Sequence, residues 1–311
     1  MKIHYGHSST VEKAITFIEK NQNEDGGWGY WPDHDSYTEP TGLCLLALKF
    51  AGSTNGLMKG LEYLKRCQLD SGEIGINKED KEGNWMSYAA LIAFHDLGIS
   101  KEQEHLKKWI LSFYDGYENT PSHTVEYMYQ EFRYDVTIDG WPWFGNTSSW
   151  IEPTSLFIIA LIHSGVDPQN KRIRSGIKFL LNRTNKDGGW NYGNPFAKNT
   201  YLDAYPLPTA VALTAMGIMG YTGEEPAVER AVEFLERCIG EEMSNASLAW
   251  SLLAFKNFRT TQEKAEKIVI FLKKRQLPDG SFRRNLFETA LSFLALSSFK
   301  FDFTAKTSKT G

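Results

Sequence analysis

The chain has 311 residues, 41% of them apolar and 14% aromatic, which is ample for a large buried core but leaves the domain count open. Its 34 basic and 38 acidic residues give a formal charge of −4, and no basic stripe interleaved with aromatics appears, which speaks against nucleic-acid binding. The start MKIHYGHSST lacks a signal peptide's apolar core, no apolar run approaches the ~20 residues of a membrane span, and Cys44, Cys67 and Cys238 are too scattered for a disulfide framework, so a cytoplasmic protein is expected.

The first predicted element is an amphipathic helix through Ala14–Ile18 that runs into a glycine turn, QNEDGGW, at Gln22–Trp28. A second helix, apolar on nearly all sides, begins near Glu39 in EPTGLCLLAL. The alternation then continues. Gly60–Leu64 leads to QLDSGEIG, and an apolar helix follows from NWMSYAALIAF at Asn84. A weaker amphipathic copy lies at Leu106–Phe113. Next comes an aromatic-rich stretch between about 114 and 150, longer than any other connection; such an excursion in a regular array reads as a lid or a tolerated loop. After it come EPTSLFIIAL from Glu152, Gly176–Leu180 with NKDGGW, and LPTAVALTAM from Leu207. The last members are Ala231–Cys238, SNASLAWSLLAF from Ser244, Ile268–Leu272 with QLPDGSF, and FETALSFLAL from Phe287.

A helix apolar on every side must be buried, whereas one with a charged face lies outside. Six helices of each kind alternate, so the expectation is an all-α (α/α)6 barrel, a toroid of six helical hairpins. Inner helices should start near residues 41, 86, 154, 208, 245 and 288. One toroid domain should span 1–300, with a flexible tail at 301–311.

The glycine-turn units resemble the QW motif of squalene–hopene and related triterpene cyclases, most closely at Gln22–Trp28 and Gln276–Phe282, and with Thr184 in the glutamine's place before Asn185–Trp190. The resemblance extends over roughly residues 8–298 and implies the toroid of terpenoid cyclases and protein prenyltransferases. The chain departs from both branches in its catalytic residues. No D-x-D-D motif occurs, and Tyr205-Pro206-Leu207-Pro208 stands at the corresponding place before Thr209-Ala210. Where the prenyltransferases carry a zinc-binding His-Thr, this chain has Glu288-Thr289. Cys67 and Cys238 occupy equivalent places in repeats two and five, on opposite sides of a ring. No metal and no cofactor are therefore expected.

The candidate site lies at the end where turns lead into inner helices. Its acids are Asp35, Glu39, Glu152 and Asp203, any of which could donate a proton if buried beside a group that sets its protonation. Glu39 and Glu152 each precede Pro-Thr at an inner-helix start. There the helix dipole favours a carboxylate by ~0.3–1 kcal/mol, so plain capping is the simplest role, and the dipole should depress their pKa. Trp31, His34, Trp85, Trp141, Trp143, Trp150 and Tyr205 are the candidate substrate-binding side chains, since aromatic faces suit isoprenoid chains and steady cations by ~0.5–2 kcal/mol each. The stretch 114–150 is expected to cover the mouth, bringing Trp141, Trp143 or Trp150 near Trp31.

The resemblance implies a terpenoid-cyclase-like enzyme acting on an isoprenoid or similarly apolar substrate by acid-initiated cyclisation or isomerisation. Two alternatives stand beside it: a non-catalytic module holding an apolar ligand or a peptide, and unrelated chemistry on the same scaffold. A sugar-processing enzyme among the latter is distinguished by two carboxylates across an open, polar, Trp-lined groove.

Overall fold

The computed structural model describes residues 9–114, 128, 134–258 and 262–297. Among these, twelve helices alternate along the chain: α1 (Ser9–Lys20), α2 (Thr38–Ala51), α3 (Leu57–Cys67), α4 (Ser87–Asp96), α5 (Ser100–Ser112), α6 (Ile151–His163), α7 (Lys171–Asn182), α8 (Pro206–Ile218), α9 (Pro226–Cys238), α10 (Asn245–Phe255), α11 (Gln262–Arg275) and α12 (Leu286–Leu296). Two short hairpins, β1 (Trp141–Pro142) with β2 (Ser149–Trp150) and β3 (Phe196–Ala197) with β4 (Thr200–Tyr201), sit in connections. The expected tail at 301–311 and most of the stretch 115–133 lie outside the described residues.

The even-numbered helices close a ring: α2 packs on α4, α4 on α6, α6 on α8, α8 on α10, α10 on α12, and α12 back on α2. The odd-numbered helices form the outer layer, each against its own inner partner, with α1 lying on both α2 and α12. All six inner helices start within three residues of the expected positions. The pattern explains the layers. In α2, Leu43–Leu48 has no residue more than 3% exposed, and α4 is buried as deeply over Ala89–Phe94. By contrast, α9 (PAVERAVEFLERC) buries only Val228, Ala231 and Leu235 on one stripe.

Because each turn carries an outer helix into an inner one, all inner N-termini share one end of the ring, the mouth, and their C-termini share the far end. A lumen wide enough for a long polyene would leave its lining accessible. Here the inner helices between their first and last turns are buried on every side, so side chains fill the axis below the mouth.

Candidate functional site at the mouth

The mouth is built by a repeated clamp. The backbone N–H of Trp28 donates to Thr41 Oγ1 at 2.9 Å, that of Trp141 to Thr154 at 2.8 Å, that of Trp190 to Thr209 at 2.9 Å and that of Phe282 to Thr289 at 3.0 Å. Ser87 makes the weaker equivalent, donating to the Ile74 carbonyl at 3.4 Å. These contacts fix the inner helices at one height. The residues two positions before each clamp then form one layer around the mouth: Glu39, Trp85, Glu152, Leu207 and Phe287. The indoles anchor the turns from behind, with Nε1 of Trp28 donating to the Ile18 carbonyl, of Trp141 to Ile110 and of Trp190 to Leu180, all at 2.8–2.9 Å.

Glu39 is the most enclosed acid of the layer, 3% exposed. Tyr30 Oη donates to its Oε2 at 2.6 Å, and Tyr88 Oη, from the neighbouring inner helix α4, donates to its Oε1 at 2.8 Å. Burial pushes its pKa up to about 7 although both phenol hydroxyls favour the anion. Glu152, one helix beyond α4 around the ring, is also raised to about 7, first by burial and then by the negative charge of Glu39. The two carboxyls therefore titrate as a pair close to neutral pH. Two donors grip Glu39 and favour its anion, while the Glu39 charge favours the proton on Glu152. The depressed pKa expected from the helix dipole is corrected: a dipole contribution of ~0.3–1 kcal/mol is outweighed by desolvation.

Aromatic rings frame the pair. Tyr30 contacts Trp31, Tyr37 and Phe287 at centroid distances of 6.1, 5.7 and 6.1 Å. Trp85 stacks on Tyr88 at 6.2 Å and meets Trp143 edge-on at 4.8 Å, and its backbone N–H donates to the Trp143 carbonyl at 3.0 Å. Tyr192 lies 5.6 Å from Tyr205, and its hydroxyl is held above its ordinary pKa by burial and by the charge of Glu152, which places this pair on the Glu152 side. Trp31 and Tyr205 are each 50% exposed, so the mouth is open.

Of the candidate residues, the structure joins Glu39, Glu152, Trp31, Trp85, Trp143 and Tyr205 around this mouth. It does not join the rest. Asp35 is exposed and borders a polar hollow of about 470 Å3 with Asp25, Asn77 and Glu79 on the outer rim, and His34 bridges the two places, lining that hollow with its ring centre 5.8 Å from that of Trp31. Asp203 is exposed in its loop. Trp141 is fully buried as the anchor of the third turn, with the Arg172 guanidinium 3.7 Å from its ring centre, so it faces no substrate. Trp150 caps α6 and borders a small hollow of about 120 Å3 with Phe179 and Arg183. The described end of the 114–150 stretch reaches the mouth at Trp85 rather than at Trp31. Sequence reasoning missed Tyr30, Tyr88 and Tyr192. Their signal was position alone, two residues past Trp28, directly after Ser87 and two residues past Trp190.

At the opposite end of the ring a further cluster of titratable side chains lies together. His95, Asp96 and His163 come together where α4 and α6 end, their ligand atoms within 4.8 Å of one another. The sequence carried a signal for this pairing, since both histidines close adjacent inner helices at nearly one level, eight residues past Ser87 and nine past Thr154.

Three solved structures illustrate the likeness of the fold. The type II terpene cyclase MstE from Scytonema superposes with a TM-score of 0.67 at 15% identity, covering 94% of this chain and 97% of that one. An α-amylase from Clostridium perfringens gives 0.67 at 14%, covering 96% and 100%. An α-1,6-mannanase of Salegentibacter gives 0.62 at 12%, covering 94% and 98%. At such identities the likeness shows the fold alone, and that fold serves both terpenoid and saccharide chemistry. No helix among the described residues is long and apolar enough to cross a membrane. The sequence profile of the prenyltransferase alpha-alpha toroid domain matches residues 5–120, 57–247 and 154–293, and the chain belongs to that family.

Proposed function

We propose that this chain is an acid–base enzyme working at the open mouth of the toroid, and that it cleaves the glycosidic bond of a saccharide lying across the exposed aromatic rings. The observation that carries this reading is the coupled pair, Glu39 and Glu152, with both pKa values near 7 in one enclosed layer. Two carboxyls whose surroundings separate a charge from a proton are the arrangement glycoside hydrolysis needs. Glu152 donates its proton to the glycosidic oxygen as the C–O bond breaks and the electron pair leaves with that oxygen. Glu39, anionic under Tyr30 and Tyr88, steadies the oxocarbenium-like carbon. Water then adds to that carbon and returns a proton to the pair. Trp31 and Tyr205 offer faces on which sugar rings stack, and the filled axis leaves room for a surface-lying chain rather than an engulfed one.

The experiment is hydrolysis of a panel of oligosaccharides and aryl glycosides. Glu152→Gln should lose turnover of unactivated saccharides by about 100-fold or more, yet retain activity on nitrophenyl glycosides, whose leaving group needs no proton. Glu39→Gln should move the alkaline limb of the pH–rate profile to lower pH, because Glu152 then loses the charge that holds its proton. Wild-type inactivity across the panel, or an unimpaired Glu152→Gln, would overturn the reading.

A second reading, acid-initiated cyclisation or isomerisation of an isoprenoid, is favoured by Leu207 and Phe287 in the same layer and by the aromatic rim. It asks Glu152 to protonate a carbon–carbon double bond, for which a carboxyl raised to about 7 is a weak donor. Conversion of a polyprenyl substrate, abolished by Glu152→Gln, would establish it. A module that only holds an apolar ligand or a peptide has no use for two buried carboxyls, and such binding unchanged in both variants would support it instead.

A further inference from the structure

The far end of the ring carries a second chemical centre unrelated to the mouth. His95 and Asp96 are the last two residues of α4, and His163 is the last of α6, the adjacent inner helix. His163 Nε2 lies 2.7 Å from Asp96 Oδ1, and the two imidazoles meet edge to face with centroids 5.3 Å apart. One ligand atom from each residue falls within 4.8 Å of the other two. Ligands around a tetrahedral zinc-type ion with bonds of ~2.0–2.2 Å lie about 3.3 Å apart. Closing the set onto an ion therefore takes side-chain rotation, with Asp96 and His163 separating slightly and His95 swinging in, and no movement of the helices.

Three features of the surroundings favour a cation. The C-terminal ends of α4 and α6 both point here, so their dipoles present partial negative charge. His163 is buried, while His95 and Asp96 are half-buried, which leaves a path for an ion and a water to complete four-coordination. The side chain of Gln103, in α5, lies beside His95 as a polar neighbour for its ring, the kind of support that metal-binding imidazoles have. The nearby cation, Lys107, is paired with Glu104 at 2.6 Å.

We propose that His95, Asp96 and His163 bind one divalent transition-metal ion of the zinc class, tying the far ends of α4 and α6 together. Two imidazoles with one carboxylate select such an ion over magnesium or calcium, which take oxygen ligands. The site differs from the zinc site that the prenyltransferase resemblance implies, because that one belongs to the mouth at Glu288-Thr289.

The test is a cobalt(II) titration of chelator-treated full-length protein, followed by zinc competition. One equivalent of cobalt should bind with the visible bands of a four-coordinate nitrogen–oxygen site, and zinc should displace it. His95→Gln and His163→Gln should each weaken binding by about 100-fold or more. Glu152→Gln, at the opposite end, should bind as the unaltered chain does. His163 is buried, so its variant needs a circular-dichroism check of folding; His95 is half-buried, and its variant carries the test if the other fails to fold. Absence of saturable one-equivalent binding would overturn the proposal, as would binding undiminished in a folded His95→Gln or cobalt displaced as readily by magnesium as by zinc.

Discussion

Glu39 sits where three influences meet: the dipole of α2 and two phenol donors favour its anion, and burial opposes it. Burial wins, and the sign of the consequence is fixed. A carboxyl raised from 4.5 to about 7 binds its proton more tightly in the folded chain than in the unfolded one. Its contribution is most favourable below pH 4.5, declines between 4.5 and 7, and is constant above. The decline is on the order of 3 kcal/mol for one such group. Glu39→Gln removes it, so the variant should gain stability relative to the unaltered chain between pH 5 and pH 8. Denaturant unfolding at the two pH values checks this, and parallel stabilities would contradict the burial argument. How far the site was legible follows from the same residue. Glu39-Pro40-Thr41 and Glu152-Pro153-Thr154 announce two helix starts with acids in place. Nothing in either string says that Tyr30 and Tyr88 close over one of them, because those partners arrive through the turn and from the neighbouring helix. Asp35, close to His34 in the sequence, was as plausible a donor there and proved to be exposed on the rim. Local density of charge marks surface as readily as chemistry.

At the scale of the element, the unit is a turn with three attachments: a tryptophan to the helix behind, a threonine to the helix ahead, and a glutamine to the next hairpin. Gln22 Nε2 donates to the Gly26 and Gly56 carbonyls at 2.7 and 2.9 Å, and Gln68 repeats this with Gly72 and Glu102 at 2.9 and 3.0 Å. The fourth turn has Thr184 instead, whose hydroxyl donates to the Leu181 carbonyl within its own repeat. The turn glycine still meets the next outer helix, as Gly26, Gly72 and Gly280 do in their turns. Gly188 has φ +93°, and a Cβ at that position would overlap the Arg230 carbonyl of α9. Gly188→Ala should therefore destabilise by ~2 kcal/mol or more, combining a strained backbone with a displaced helix. Thr184→Ala, which removes the 3.1 Å hydroxyl bond to the Leu181 carbonyl, should cost about 1 kcal/mol or less. Thermal unfolding of the two variants gives the order, and equal losses would show that the contact with α9 is unimportant. These turns are also why the fold could be read from the sequence: the glycine turn is a short run, as at Gln22–Trp28 and Gln276–Phe282, and it recurs along the chain. The stretch before β1 has no second copy to be compared with, so its route could not be read.

Over the whole molecule, what closes the ring is the return of the last turn to the first helix. Gln276 Nε2 donates to the Thr10 carbonyl at 2.7 Å and to Gly280 at 2.8 Å, and the Leu286 N–H donates to the Tyr30 carbonyl at 2.8 Å. The bond made by Gln276 matches that made by Gln22, but it spans 266 positions rather than 34. Contacts between hairpins adjacent in sequence repay a small loss of chain entropy early, whereas this one repays a large loss last. Gln276→Ala and Gln22→Ala should therefore cost similar stability, about 1 kcal/mol each, but Gln276→Ala should act mainly by speeding unfolding and Gln22→Ala by slowing folding. Stopped-flow kinetics separates them, and identical partitioning would mean that the ring does not close last. The threonine clamps have a different consequence. They hold Glu39, Trp85, Glu152, Leu207 and Phe287 at one height through bonds that involve none of those five side chains. The layer is thus a socketed rim in which each chemical group can be exchanged without disturbing the joint that presents it. A carboxyl moved from α6 to α8, by Glu152→Leu with Leu207→Glu, would relocate the proton to the next socket while leaving the barrel intact.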